Sequence, residues 1–312
     1  MKQITDKDVA IIILNWNAYD DTFECLKSLE HLTYPYFHVF LVDNASQDNS
    51  FDKLQEDYKE GKFNVPITFI QTGANLGFAG GNNVAIKEAY NQGYQYFWLL
   101  NNDTVVDPNA LTPLVDSIKK DPTIGIAGSK IYYYGTNKIW FAGGIVNKLT
   151  GNTKHIGMKD IDSEKYSSVL DVDYVTGCSL FFRKEILDTV GYMVEDYFLY
   201  YEETDWNLRA SQMGWKIKYI PTSVVYHKVS SSSGGESNIS PAVNYYLIRN
   251  AIAMIKRTQP SYYITIAVIY SLWNVFKNIL KIFLYRQDNK LVRIKLGFTA
   301  VFDGVFGKMG KL

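Results

Sequence analysis

Apolar positions in the first hundred residues fall in blocks separated by stretches of helical spacing. Val9–Asn15 (VAIIILN) is a nearly continuous apolar, β-branched run, the pattern of a strand buried on both faces. His38–Asp43 (HVFLVD), Ile67–Gln71 and Tyr96–Leu100 (YFWLL) repeat it. Between these runs the period lengthens: Phe23, Leu26 and Leu29 follow Asp20 or Asp21 as N-cap, a charged helix runs through Lys59, and another spans about Gly81 to Asn91. Strands alternating with helices predict an α/β fold with a mostly parallel sheet and helices on both faces.

From about Lys130 the pattern becomes mixed. A short strand is expected over Lys138–Val146, a mobile polar loop over His155–Asp171 and a strand-to-helix unit around Val172–Leu187. A helix follows from Thr204 to Met213, ended by Gly214. A strand at Trp215–Ile220 stops at Pro221, Val224–His227 forms another, and Ser230–Gly235 reads as a flexible loop.

Beyond Pro241 the chain turns helical over Asn244–Arg257. Thr258 to Phe276 carries no charge, yet Pro260 and Ser261 leave a usable helix shorter than the roughly 20 residues that span a bilayer. Asn274, Lys277, Asn278 and Lys281 share one helical face, and Trp273, Phe276, Leu280, Phe283 and Leu284 lie away from it. That pattern is amphipathic with a basic polar side.

Charge reinforces this boundary. Residues 1–240 hold 21 Lys and Arg against 30 acidic residues, and residues 241–312 hold 11 against 2, so a net of −9 meets a net of +9. The expectation is a domain over 1–240 and a basic amphipathic helical region over 241–312 that attaches to an anionic membrane surface. Packing on the domain or on a second subunit, as a homodimer, is the alternative. The N-terminal MKQITDKDVA lacks the basic and small-residue flanks of a signal peptide. The expected location is therefore cytoplasmic, peripheral on the inner face of the cell membrane.

Several classes are excluded. The zero net charge gives no sign of nucleic-acid binding, and two cysteines make neither a disulfide framework nor a four-thiolate metal site. Neither GxGxxG after the first strand nor GxxxxGK[ST] occurs, which removes Rossmann dinucleotide and P-loop chemistry. Cys178 lacks an evident His–Asp pair and reads as a packed thiol. What remains is a set of amides and acids. Asn15, Asn17, Asp43 and Asp103 sit at or just past the carboxyl ends of candidate strands, the edge where open α/β sheets bind ligands.

In order, the polar stretches are Asn15-Trp16-Asn17, Val42-Asp43-Asn44-Ala45-Ser46-Gln47-Asp48, Gly73-Ala74-Asn75-Leu76-Gly77-Phe78-Ala79-Gly80-Gly81-Asn82-Asn83 and Asn101-Asn102-Asp103-Thr104. Tyr201-Glu202-Glu203-Thr204-Asp205-Trp206 and His227 complete the series. From about Val9 to Arg257 it resembles the inverting glycosyltransferases of family 2, in particular the rhamnosyltransferase-like branch. The resemblance implies a GT-A fold and transfer of a sugar, with inversion, from a nucleotide-sugar to a hydroxyl of a saccharide or lipid-linked saccharide in cell-surface polysaccharide synthesis. By analogy dTDP-rhamnose is favoured as donor over a UDP-hexose. A catalytically silent membrane-recruited binding protein and a nucleotidyltransferase are the other classes considered.

The resemblance also assigns roles. Asp103 would hold a Mg or Mn cation with His227, and Asn101 stands where relatives carry a first acid. Oxygen ligands suit such hard cations, which offset charge on a departing diphosphate. Glu203 would be the general base, with Glu202 or Asp205 in its stead. Arg209 would brace these acids, which raise one another's pKa when crowded. Asp43, Asn15 and Asn17 would contact the donor's pyrimidine, while Asn75, Gly77 and Asn82 let the backbone approach the nucleotide. Asn102 and Trp140 belong to the same donor side, and Gly177, Tyr201 and Trp206 to the acceptor side.

Overall fold

The computed structural model describes residues 8–229, 239–284 and 289–312; the Ser230–Gly235 loop expected from sequence lies outside them. β1 (Val9–Asn15), β2 (Phe37–Asp43), β3 (Ile67–Gln71) and β4 (Tyr96–Asn101) are parallel and stand in the order β4-β1-β2-β3. α1 (Tyr19–Leu29), α2 (Ser50–Lys59) and α3 (Gly77–Asn91) lie in the connections between them. Val9–Ile13 are completely buried, as the unbroken apolar run requires. The expected cap on α1 is displaced: Ala18 is the N-cap, and Asp20 and Asp21 sit in the first turn, where the helix dipole favours them.

β5 (Thr104–Val106), α4 (Leu111–Lys120), β6 (Ile124–Tyr133) and β7 (Ile139–Phe141) follow. β8 (Gly144–Val146) and β9 (Thr153–His155) form a separate hairpin, so the strand expected over Lys138–Val146 is two strands, broken where Gly143 takes φ 108°. β10 (Leu170–Asp171), β11 (Ser179–Arg183), α5 (Glu185–Thr189), α6 (Glu202–Gln212) and β12 (Lys216–His227) complete the sheet unit. The full sheet runs β10-β12-β6-β11-β4-β1-β2-β3, with β5 on β12 and β7 on β6. β11 is antiparallel to both β4 and β6.

Two further expectations change. β12 is one strand, not two, because a register shift between Ile220 and Val224 absorbs Pro221, which has no N–H to give the ladder. Residues 155–171 are anchored rather than loose: Asp162 pairs with Lys130 at 2.9 Å, and Tyr219 Oη donates to the Tyr166 carbonyl at 2.9 Å.

The C-terminal helices are α7 (Pro241–Thr258), α8 (Tyr262–Leu284) and α9 (Lys290–Phe306). Ser240 caps α7 by accepting from the Val243 N–H. At 23 residues, α8 corrects the expectation of a short helix: it starts just after Pro260-Ser261 and continues past Lys277 and Lys281, giving one helix long and apolar enough to cross a membrane. Ala267, Ser271, Val275 and Ile282 form its buried side, against α7 and α9. The Asn and Lys side borders a cavity, with Lys277 and Lys281 exposed, and Trp273, Phe276, Leu280, Phe283 and Leu284 are exposed as well. α9 adds exposed Leu291, Phe302 and Phe306.

α7 holds the segment that precedes α6. Phe198, Tyr200 and Tyr201 all take positive φ, at 65°, 68° and 75°, which costs non-glycine residues of order 1–3 kcal/mol each. The buried Asn250 amide donates to the carbonyls of Tyr197 (3.1 Å), Leu199 (2.8 Å) and Tyr200 (2.8 Å). Arg249, buried beside it, donates to the Tyr197 and Gly310 carbonyls. From the opposite side Gly77, at φ +73°, leaves room for the Phe198 carbonyl, which a Cβ there would meet at 2.2 Å.

These contacts make two predictions. Asn250→Ala removes the amide donor from the Leu199 and Tyr200 carbonyls and lowers stability by about 2 kcal/mol in urea unfolding; an unchanged midpoint would mean the segment keeps its shape unaided. Gly77→Ala is expected to cost at least about 2 kcal/mol by the same measurement, because strain and overlap add.

Candidate active site

A cavity of about 430 Å³ opens at the carboxyl ends of β4 and β12 and is closed on one side by the start of α6 and by α7. Of the residues singled out in the sequence, Asn101, Asp103, Trp140 and Gly177 line it, together with Glu202, Glu203 and His227. Backbone pairing explains how residues 124 positions apart meet. β12 lies antiparallel to β5 with His227 opposite Thr104, and the Lys228 N–H donates to the Asp103 carbonyl at 2.9 Å.

Asp103 and His227 are both buried, with Nε2 3.1 and 3.2 Å from the two carboxylate oxygens. Burial acts against a charged ring, but Cys178 and Asp103 outweigh it and push the His227 pKa up to about 10. The ring of Trp140 stands edge-on to that of His227, with centroids 4.4 Å apart. Burial raises the Cys178 thiol above its usual range, consistent with a packed and unreactive group.

Glu202 and Glu203 open the first turn of α6. Glu202 is buried, and its Oε2 has no hydrogen-bond partner among the described residues. Burial, then the neighbouring Glu203 charge, raises Glu202 to about 8; burial raises Glu203 as well. Glu203 is the more accessible of the two. The arrangement supplies a proton-accepting carboxylate pair on one wall and an acid–imidazole pair on another. Among the described residues no three His, Cys, Asp or Glu side chains form a metal cage. The Asp103 carboxylate suits Mg²⁺ or Mn²⁺, and the His227 ring does so once it gives up its proton.

The remaining residues lie elsewhere. Asp205 is fully buried, held by Arg209 Nε at 2.7 Å and by Tyr197 Oη at 3.1 Å, so it braces α6 rather than entering the cavity. Trp206 is also fully buried and donates Nε1–H to the Gly191 carbonyl. Tyr201 faces a second cavity. Asn15 and Asp43 do sit side by side at the ends of β1 and β2, but neither is exposed. Asn15 Nδ2 donates to Asp43 at 2.7 Å, and the Asp43 carboxylate also accepts from Ser46 and Gln71.

Asn17 is exposed and accepts from the Gln47 N–H at 2.6 Å. Asn75 accepts from the Gly77 N–H, Asn82 donates to the Phe78 carbonyl, and Asn102 donates to Thr22. The Gly77 turn serves the close approach of Phe198 rather than reaching the cavity. Gly177 does line the cavity, where a Cβ would meet the Phe78 ring at 2.6 Å.

Sequence reasoning missed the apolar wall. Leu199, Ile239, Val243 and Leu247 line the cavity beside the glutamates. Helical spacing of Val243 and Leu247 was the available signal, and it reads equally well as ordinary core packing.

Known proteins with similar sequence or structure fit this geometry. The chain is 24% identical to the dTDP-rhamnosyl transferase RfbF of Shigella flexneri over 284 residues, 88% of each protein. It is 24% identical over 227 residues to poly-beta-1,6-N-acetyl-D-glucosamine synthase of Staphylococcus epidermidis, covering 73% of this chain and about half (51%) of the synthase. A mannosyltransferase of Pyrobaculum calidifontis, solved in complex with GDP-Man and Mn²⁺, superposes with a TM-score of 0.60 at 14% identity over 96% of this chain and 87% of its own. Its likeness places the fold in the GT-A class. Residues 10–191, more than half of the chain, match the model of glycosyl transferase family 2, and the chain belongs to that family.

Proposed function

We propose that the chain is an inverting sugar transferase whose general base is Glu203. The observation that carries this reading is that the glutamate pair and the Asp103–His227 pair open onto one cavity. Glu203 takes the proton of the acceptor hydroxyl as its oxygen bonds to the anomeric carbon. The bond from that carbon to the diphosphate breaks on the opposite face, and the nucleoside diphosphate leaves with the electron pair. Glu202, kept protonated by burial, limits repulsion against its neighbour and holds the pair at a pKa useful near neutrality. Asp103 and His227 would hold a divalent cation, which offsets charge on the leaving diphosphate.

The similarity to RfbF supports dTDP-rhamnose as donor, and that to the N-acetylglucosamine polymer synthase supports a UDP-hexose as the second reading. A thermal-shift panel of nucleotide-sugars with and without Mn²⁺ separates them, since the bound donor raises the melting temperature.

The outward face of α8 and α9 supports attachment to the inner membrane surface. A helix pair with its aromatic side to solvent is stable when lipid covers that side, and the +9 charge of residues 241–312 favours an anionic one. The acceptor in this reading is lipid-linked.

Four outcomes follow. Glu203→Gln lowers transfer by about a thousandfold and leaves nucleotide affinity within about twofold; undiminished turnover removes Glu203 from its role. Transfer rises with pH above the ordinary carboxylate range, because burial raises Glu203 and the base must give up its proton before it can act. The folded state then holds a proton that the unfolded chain has released, so stability falls as pH rises from the ordinary carboxylate range to about 8. Glu202→Gln flattens that fall in melting experiments across pH. Co-sedimentation with phosphatidylglycerol vesicles exceeds that with phosphatidylcholine and drops in W273A/F276A; a dimer in solution with no vesicle binding overturns the membrane reading.

A further inference from the structure

A second cavity, of about 330 Å³, lies between the sheet unit and the C-terminal helices. One wall is Tyr201 with Thr150, Asn152 and Thr153 at the β8–β9 turn. The other is the polar side of α8, where Asn274, Lys277, Asn278 and Lys281 project, joined by Asn244 of α7. The Asn278 amide donates to Asn244 at 3.2 Å, tying the two helices at this point.

The lining is rich in donors: two ammonium groups, four amides and several hydroxyls, with no carboxylate among them. That chemistry rejects cations and suits the oxygens of a phosphate, for which lysine is a common point-charge partner. Its place is equally informative. Leu247 lines both cavities, and the consecutive Tyr200 and Tyr201 face one each, so the second cavity adjoins the wall that carries the glutamates. The exposed apolar side of α8 flanks this polar side on the same helix.

We propose that this second cavity is a subsite for the phosphate or diphosphate of the acceptor. A lipid-borne phosphate bound there would sit beside the apolar face of α8, with its saccharide directed to Glu203. The proposal rests on the reading of the first cavity as the transfer site. It also gives a purpose to the Asn and Lys side of α8, which borders this cavity.

The test is lysine acylation of the full chain, followed residue by residue by mass spectrometry, with farnesyl diphosphate, inorganic pyrophosphate and farnesol as probes. Farnesyl diphosphate is expected to slow labelling of Lys277 and Lys281 about fivefold or more relative to Lys308, pyrophosphate to do so at higher concentration, and farnesol not at all. In K277Q/K281Q the affinity for farnesyl diphosphate falls about tenfold. Labelling unaffected by either diphosphate, or slowed equally by farnesol, overturns the subsite. Equal potency of the two diphosphates assigns the site to free phosphate and overturns its role for a lipid-borne acceptor. The two readings fail separately: protection requires no turnover, so a wild-type chain that is protected yet transfers no sugar refutes the transferase reading and keeps the subsite.

Discussion

The site depends on the grip of α7 on the segment that precedes α6. Three consecutive-region residues with positive φ would relax if freed, and the glutamates that follow them would rotate with the helix start. Asn250 and Arg249 prevent this by donating to the carbonyls of Tyr197, Leu199 and Tyr200. Arg249 does so as a buried cation with no ion pair to a carboxylate among the described residues, beside the rings of Tyr245 and Tyr246. The C-terminal helices are thus part of the machinery that shapes the cavity.

Burial sets the electrostatics of the site. Two adjacent carboxylates in water would both ionise at neutral pH; here desolvation raises both, and Glu202, at about 8, keeps its proton. On the opposite wall the same low-dielectric setting strengthens the attraction between Asp103 and His227. One cavity therefore holds a basic carboxylate and an acid–imidazole pair. In the proposed mechanism, proton transfer at one wall and a departing anion at the other use that division.

α8 is apolar on two sides. Ala267, Val275 and Ile282 are buried where it packs against α7 and α9, as a surface helix requires. Trp273, Phe276, Leu280, Phe283 and Leu284 are left exposed, with Leu291, Phe302 and Phe306 of α9. The Asn and Lys positions between them border the second cavity. The exposed apolar side is coherent if the medium outside is lipid and the cavity is meant for an anion.

The sequence by itself determined the parallel half of the sheet. Runs such as Val9–Asn15 have only one way to hide from water, and polar residues at their ends mark where a ligand edge must be. It also marked Asp103, Glu203 and His227, and the two sides of α8. Tertiary structure decided which of the marked residues face the cavity. Asp205 lies two residues from Glu203, yet helix rotation turns it inward to Arg209, and Asn15 and Asp43 satisfy each other instead of facing outward. It likewise decided the apolar wall from α7 and the second cavity, whose two sides come from residues about a hundred positions apart. Local patterns record the period of burial along one element. The direction in which a side chain finally points depends on neighbours that only the closed fold brings into contact.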